Sequence, residues 1–260
     1  YALEADTLIF LPGTYVSNAV IEGKSLTLTS QYIFGNDSTY KDSVLLVPDT
    51  SQTESIVLVR NVDSLRVLGL SFKEGRGRQF YNNYSFGGAI YCEESWLEID
   101  NSDFRDNQSD YSGGALYIKN STIDLRGVSF KNNVSYFGGA IGLSSESIAN
   151  FKDVILDGNT ASSGGAVYVD NNSKLVAFYS EFTNNRADSD LLASTLTKPA
   201  LISQYGGAIY ASGSQLRLHN TLFSGNHSVN LGAAISLSYG MFDLVQSTVA
   251  NNTTDADSSG

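Results

Sequence analysis

The chain has 260 residues, 42% of them hydrophobic, so it can bury a substantial core and is not a disordered tail. Its net charge of −11 argues against a nucleic-acid partner and against electrostatic docking to anionic lipid, because both require a basic surface. No apolar run reaches the ~18 residues needed to cross a bilayer, and the single cysteine, Cys92, excludes an internal disulfide.

The first 84 residues are predicted to form short strands in long, irregular coils. The segment ADTLIFLPGTYVSNAVIEGKSLTLTS (residues 5–30) contains a Pro12-Gly13 pair, which is typical of a type II turn. It ends in a run where Leu26 and Leu28 alternate with polar residues, as in a half-buried strand. The segment LRVLGLSFKEG (residues 65–75) carries the same strand pattern.

From residue 85 onward, two motifs repeat. The sequence Gly-Gly-Ala-apolar begins at Gly87, Gly113, Gly138, Gly164 and Gly206, with a degenerate copy at Gly232. An aromatic-or-apolar-x-x-Asn motif ends at Asn107, Asn133, Asn159, Asn185, Asn226 and Asn252. Both motifs keep a period of 25 or 26 residues, and both have one long step, of 42 and 41 residues. That step predicts an insertion at about residues 187–205.

A unit of about 26 residues cannot close a core of its own, so the units must stack. Alternating apolar residues within each unit indicate strands, and stacked short strands with glycine turns predict an all-β solenoid, a parallel β-helix. We expect one domain over residues 1–260, with about eight coils and the regular ones at 85–260. The chain ends where the next glycine corner would begin, so we expect further coils beyond residue 260.

The GGA(I/L/V) and FxxN motifs at this spacing resemble the repeats of chlamydial polymorphic outer-membrane proteins. Residues 5–30 are similar to the first coil of right-handed β-helix proteins with the pectin-lyase-like fold. The resemblance implies a right-handed helix that is secreted or held at the cell surface, as in the passengers of autotransporter adhesins. It transfers no catalytic residue, because those repeats carry none.

Most repeat residues are interpreted as structural. Glycine pairs suit tight corners, and stacked asparagines can satisfy buried turn amides; the predicted ladder consists of Asn107, Asn133, Asn159, Asn185, Asn226 and Asn252. Outside the ladder, Asn-x-Ser/Thr sequences that are candidates for glycosylation in loops occur at Asn36, Asn83, Asn120 and Asn171.

The first functional hypothesis is a non-catalytic binding surface, an adhesin or structural stalk outside the cell. Tyr91, Tyr117, Tyr168 and Tyr210 occupy equivalent positions that should point outward, with the row interrupted at Gly142. A row of aromatic faces can stack on sugar rings or on a protein partner. The expected partner is therefore a glycan, a protein on a host or neighbouring cell, or adjacent coils of the same protein. Self-assembly through exposed end coils into a filament is a related structural alternative.

The competing hypothesis is a carbohydrate-active enzyme, a polysaccharide lyase or glycoside hydrolase. Glu98, Asp100 and Asp124 should lie together on one outward face, at a separation that an inverting glycosidase could use. The basic segment KEGRGRQF (residues 73–80) is expected near that face. A solvated ladder of charges explains the same residues, because Arg126 and Lys152 follow Asp100 in the next coils.

No metal or cofactor site is expected. His219 and His227 have no second histidine or cysteine at ligand spacing, and Cys92 falls in an inward column, where a structural thiol is expected.

Overall fold

The computed structural model describes residues 3–35, 38–80, 84–192 and 204–255, and in it the chain winds as a parallel β-helix. Each coil passes three faces in turn, which we name face A, face B and face C. The predicted all-β solenoid is confirmed. Among the described residues, the only antiparallel pair joins Arg78–Gln79 to Ser85–Phe86.

Face A contains the strands that follow the glycine pairs. Its strands are Ala19–Glu22, Val57–Arg60, Ile90–Glu93, Leu116–Lys119, Ile141–Ser144, Val167–Val169, and the first parts of Ile209–His219 and Ile235–Val245. The last two strands run through the corner without a break, so they join faces A and B into one 15-stranded sheet.

Face B contains the charged strands. Its strands are Asp6–Ile9, Leu26–Thr29, Leu65–Leu68, Trp96–Asp100, Thr122–Arg126, Ile148–Lys152, Lys174–Phe178, and the second parts of Ile209–His219 and Ile235–Val245. All eight strands that mark the predicted coils are present, and Asp6–Ile9 pairs with Leu26–Thr29 ahead of them.

Face C contains the strands that carry the phenylalanines. Its strands are Gly13–Val16, Val44–Val47, Ser71–Lys73, Asp103–Arg105, Ser129–Lys131, Ile155–Asp157, Glu181–Thr183, Leu222–Ser224 and Thr248–Ala250. A minor ladder of two-residue strands follows face C at Thr160–Ala161, Arg186–Ala187, His227–Ser228 and Thr253–Thr254. The helices are short, at Gln31–Phe34 and Ser38–Asp42 (3-10) and at Ser189–Leu192 (α).

The core is built of like side chains stacked from coil to coil. Strands pair in register, so that Ile90 lies beside Leu116 and Leu116 beside Ile141, and all three are fully buried. On face C the rings of Phe72 and Phe104 are parallel, with centroids 4.7 Å apart. This distance matches the spacing of adjacent strands, so each coil buries the apolar surface of its neighbour.

The two glycines of each corner have different roles. Gly87 has a φ of 58°, in the left-handed region that other residues adopt at a cost. Gly88 has no such φ, but a Cβ there would overlap the carbonyl oxygen of Gly114 in the next coil. The first glycine therefore allows the turn, and the second allows the coils to approach closely.

The six predicted asparagines form a continuous hydrogen-bonded ladder, in which each Oδ1 accepts from the asparagine one coil earlier. At its start, where Gly75 replaces an asparagine, the Gly75 N–H donates to Asn107 Oδ1 at 2.9 Å. A second ladder, which the sequence reasoning missed, lies at the corner between faces A and B. There Ser121 Oγ accepts from the Ser95 N–H, and Ser147 Oγ from the Ser121 N–H.

The stack is continuous across the long step in the repeat. Asn185 Nδ2 donates to Asn226 Oδ1 at 3.0 Å, as at the shorter steps. Of the insertion expected at 187–205, residues 193–203 lie outside the described residues. The rest is seen as a strand end at Ala187, the helix Ser189–Leu192, and Gln204 and Tyr205.

Two of the four candidate glycosylation positions, Asn36 and Asn83, lie outside the described residues. The other two, Asn120 and Asn171, are exposed and have φ angles of 46° and 50°.

Candidate functional site

The predicted tyrosine row exists on face A, but its members differ in accessibility. Tyr91 pairs with Tyr117 in register, with ring centroids 5.6 Å apart, and Tyr168 pairs with Tyr210, with centroids 5.4 Å apart. Tyr117, Tyr168 and Tyr210 are half-buried. Tyr91 is only 2% exposed, and the expectation that it faces a partner is wrong. The ring of Phe80, 5.1 Å away, packs against it from a loop that the repeat does not predict.

A second aromatic row, which the sequence reasoning missed, borders the tyrosines. Phe86 and Phe137 each directly precede a glycine pair, and each ring contacts a tyrosine of the next coil at 4.8 Å, Tyr117 and Tyr168 respectively. Tyr111 joins the two, with its centroid 5.0 Å from Phe86 and 5.2 Å from Phe137. This row could have been found in the sequence, because the residue directly before a Gly-Gly pair is aromatic in some repeats and serine in others.

The two rows enclose a groove of about 480 Å³, which we name the face A groove. Its lining combines aromatic and polar side chains: Phe80, Tyr84, Phe86, Tyr91, Tyr111, Ser112, Tyr117, Lys119, Phe137, Leu143, Ser144, Tyr168, Asp170 and Asn171. Tyr117 and Tyr168 are therefore brought into one site, whereas Tyr210 continues the row beyond it.

The groove crosses the coil in which the tyrosine row is interrupted. Gly142 pairs in register with Tyr117 on one side and Tyr168 on the other. The backbones of the two tyrosines are thus two strand spacings apart, about 9.6 Å. The next outward residue of that strand, Ser144, is also small. We call this space the slot, and it is bounded by Tyr117, Lys119, Gly142, Ser144, Tyr168 and Asp170.

Gly142 is required for the slot for a local reason. A Cβ at this position would overlap Ser112 Oγ, which lies over it from the neighbouring coil, and would approach Tyr117 Cδ2 to 3.2 Å. The floor of the slot therefore presents a backbone and small hydroxyl side chains between two aromatic rings.

The polar end of the slot holds a carboxylate, Asp170, one of whose oxygens has no hydrogen-bond partner among the described residues. Burial raises the pKa of Asp170, and the nearby hydrogen-bonding groups of Ser144 and Asn171 oppose this rise in part. Its Oδ1 is buried and has no hydrogen-bond partner among the described residues. The cation of the slot is already paired, because Lys119 Nζ lies 2.7 Å from Glu93 Oε1.

The hydroxyls of Tyr117 and Tyr168 are neutral at physiological pH. Burial raises the pKa of Tyr117 to about 12, and burial also raises the pKa of Tyr168. The negative charge of Asp170 acts in the same direction on both. The groove therefore offers neutral rings and hydroxyls, which can donate or accept hydrogen bonds.

The acidic residues of the enzyme hypothesis lie together on face B, but each is engaged. Glu98 pairs in register with Asp124, as expected. Glu98 Oε2 lies 3.2 Å from Arg66 Nε, and Asp100 Oδ1 lies 3.4 Å from Arg126 Nη1. Asp124 accepts hydrogen bonds from Trp96 Nε1 at 3.0 Å and from Asn150 Nδ2 at 2.8 Å. This arrangement is a ladder of cross-strand contacts.

The basic segment KEGRGRQF does not lie beside these carboxylates. Arg78 lies over the ring of Phe80, 5.4 Å from its centroid, and 3.6 Å from Glu54. Because Phe80 packs on Tyr91, this places Arg78 at the end of the face A groove, not beside Glu98, and the expectation was wrong. Lys73 lies on face C and pairs with Glu74 at 2.9 Å.

Cysteine and histidine side chains have structural surroundings. Cys92 is fully buried, and burial raises the pKa of its thiol to about 12. His219 Nε2 lies 3.6 Å from Asp243 Oδ2, and His227 Nε2 lies 3.2 Å from Asp255 Oδ2. In the part of the chain that the structure describes, no three His, Cys, Asp or Glu side chains are grouped to hold a metal ion. No helix of that part is long and apolar enough to span a membrane.

Comparison with known proteins agrees with this architecture. A family model described as a right handed beta helix region matches residues 88–259. No curated protein and no solved structure matches the chain. The family match covers nearly all of the regular coils and all of the slot.

Proposed function

The chain belongs to the right-handed β-helix family, and on that premise we propose that it is a non-catalytic extracellular protein that binds carbohydrate in the face A groove. The observation that carries this proposal is the slot between Tyr117 and Tyr168. Tyr117 and Tyr168 both line the groove, and the face of either ring can stack on a sugar ring. Sugar rings present apolar faces and peripheral hydroxyls, which match the rings and hydroxyls of this site.

The remainder of the molecule supports a rigid scaffold. Every regular coil is held by the asparagine ladder and by stacked core residues, so the groove is formed before a ligand arrives. The resemblance of the repeats to those of polymorphic outer-membrane proteins supports a place at the cell surface, where the protein would act as an adhesin. Loop asparagines such as Asn120 are exposed, as a glycosylated surface would require.

The enzyme hypothesis receives less support from the geometry. A glycosidase needs one carboxyl that can donate a proton and one that is free to act as base or nucleophile. Glu98 and Asp100 are each paired with an arginine, and Asp124 accepts two hydrogen bonds.

The test is a glycan array containing neutral and amino-substituted oligosaccharides, followed by calorimetry with the best ligand. Tyr117→Ala and Tyr168→Ala should each weaken binding by about tenfold, the value of one lost stacking contact. Tyr239→Ala is the matched control, because Tyr239 is 88% exposed and lies outside the groove. Equal effects of all three substitutions, or no glycan binding at all, would refute the proposal. Turnover of a bound glycan that Asp100→Asn abolishes would instead establish the enzyme.

A further inference from the structure

The slot contains an unbalanced charge that the stacking proposal does not use. Asp170 directly follows the face A strand Val167–Val169, two residues after Tyr168, and both side chains line the groove. Among the described residues, Asp170 forms no ion pair, and its Oδ1 is buried without a hydrogen-bond partner. Leaving a buried acceptor unpaired costs free energy unless a ligand supplies the missing donor.

The other charges near the slot are already compensated. Lys119 Nζ lies 2.7 Å from Glu93 Oε1, and Arg60 lies 3.6 Å from Glu93 Oε2 and 3.8 Å from Glu22 Oε1, so two carboxylates balance the two cations. Arg78, at the far end of the groove, lies 3.6 Å from Glu54. The net charge that a ligand in the slot would meet is therefore the negative charge of Asp170.

The surroundings of Asp170 suit a cation rather than a neutral donor. Aromatic rings attract an ammonium group over their faces, and Tyr117, Tyr168, Tyr111 and Phe137 all line the same groove. A carboxylate beside aromatic rings offers a protonated amine both a charged hydrogen bond and a cation–π contact. The protein as a whole, with a net charge of −11, attracts cationic ligands over longer distances.

We propose that the face A groove selects amino sugars, with the protonated amine of the sugar on Asp170 and its ring against the aromatic rings of the groove, Tyr117 and Tyr168 among them. This inference rests on the proposed carbohydrate function and names its ligand class. An acetylated amine carries no charge, so N-acetylation of the same sugar should remove the selected feature while leaving the ring unchanged.

The experiment compares two tetrasaccharides by calorimetry at pH 7, the glucosamine tetramer and its fully N-acetylated counterpart. We expect the wild-type protein to bind the amino form at least tenfold more tightly. Asp170→Asn, which keeps the shape and removes the charge, should abolish this preference and still bind the acetylated form. Asp153→Asn is the control for net charge, because Asp153 is exposed at a corner outside the groove, and it should retain the preference.

A tetralysine peptide supplies four ammonium groups without sugar rings. We expect it to bind at least tenfold more weakly than the glucosamine tetramer, and equally tight binding would overturn the sugar class. Equal affinity of wild type for the two sugars, or a preference that survives Asp170→Asn, would overturn the role of Asp170 and leave the carbohydrate proposal standing. Failure of both sugars and of the whole glycan array to bind would overturn both.

Discussion

Asn107 donates two hydrogen bonds to a single atom of Asn133: its backbone N–H and its Nδ2 each lie 3.0 Å from Asn133 Oδ1. Asn107 Nδ2 also donates to the carbonyl oxygen of Phe72, one coil earlier. Each asparagine thus connects three consecutive coils, and the same set of bonds recurs through the regular part of the helix.

An asparagine in the middle of the asparagine ladder should be essential for the stability of the fold. Asn159→Ala removes the acceptor for two donors of Asn133 and the donor to Phe130 O. Because these groups are buried, we expect a loss of about 3 kcal/mol in the free energy of unfolding. Urea denaturation followed by circular dichroism measures it. Asn150→Ala, on the exposed side of face B, should cost less than about 1 kcal/mol, and equal costs would contradict the ladder's role.

The two roles of glycine, allowing adjacent coils to approach closely and allowing a left-handed backbone angle, can be tested separately at Gly114 and Gly127. A Cβ at Gly114 would overlap the carbonyl oxygen of Gly139, so Gly114→Ala should destabilise the protein by about 3 kcal/mol or more. Gly127 has a φ of 60° and open space around it, so Gly127→Ala should cost only about 1–2 kcal/mol. Thermal denaturation of both variants measures the difference. A Gly127→Ala effect as large as that of Gly114→Ala would show that backbone angle, not coil spacing, dominates.

Filling the slot should abolish binding without harming the fold. Ser144→Phe places a ring on the slot floor, and we expect more than a tenfold loss of glycan affinity with a thermal midpoint close to wild type. Ser238→Phe is the matched control, because Ser238 has the equivalent outward position beside Ser212, in coils beyond the groove. A Ser144→Phe variant that binds glycan normally would place the ligand elsewhere.

The stability of the protein should depend on Asp170 in a defined pH range. Burial raises the pKa of Asp170 above its ordinary value of 3.8, so between these two values the folded state binds more protons than the unfolded state. The ionised carboxylate is therefore a cost at pH 7, and this cost falls as the pH drops through the raised pKa and is gone only below the unfolded-state value of 3.8. Asp170→Asn should raise the thermal midpoint at pH 7 and raise it less at pH 4. A benefit that is independent of pH would contradict this account.

Cys92 should be chemically silent in the folded protein. Its thiol is fully buried, and its pKa of about 12 leaves almost no thiolate at pH 8. We expect no labelling by iodoacetamide over hours in buffer and rapid labelling in urea, both read by mass spectrometry. Labelling of the native protein at the rate of a free thiol would show that face A opens.

The comparison of Tyr91 with Tyr168 shows how far the candidate site could be predicted. Both occupy the same repeat position, and alternation correctly placed both outside the core. Their exposure differs because Phe80, in a loop outside the repeat, covers only Tyr91. Similarly, Glu98 and Asp124 were correctly placed as neighbours, but their partners could not be read from spacing alone.

The sequence by itself determined the solenoid, its register and its asparagine ladder, because a strict period places like residues one strand spacing apart in every coil. It also determined that Gly142 interrupts the tyrosine row. Only the tertiary structure decided that this interruption is a slot. The groove around it depends on Phe86, Phe137 and Asp170, whose positions follow from side-chain packing between coils. The repeat specifies backbone positions, whereas the shape and charge of the groove depend on the residues that vary between its copies.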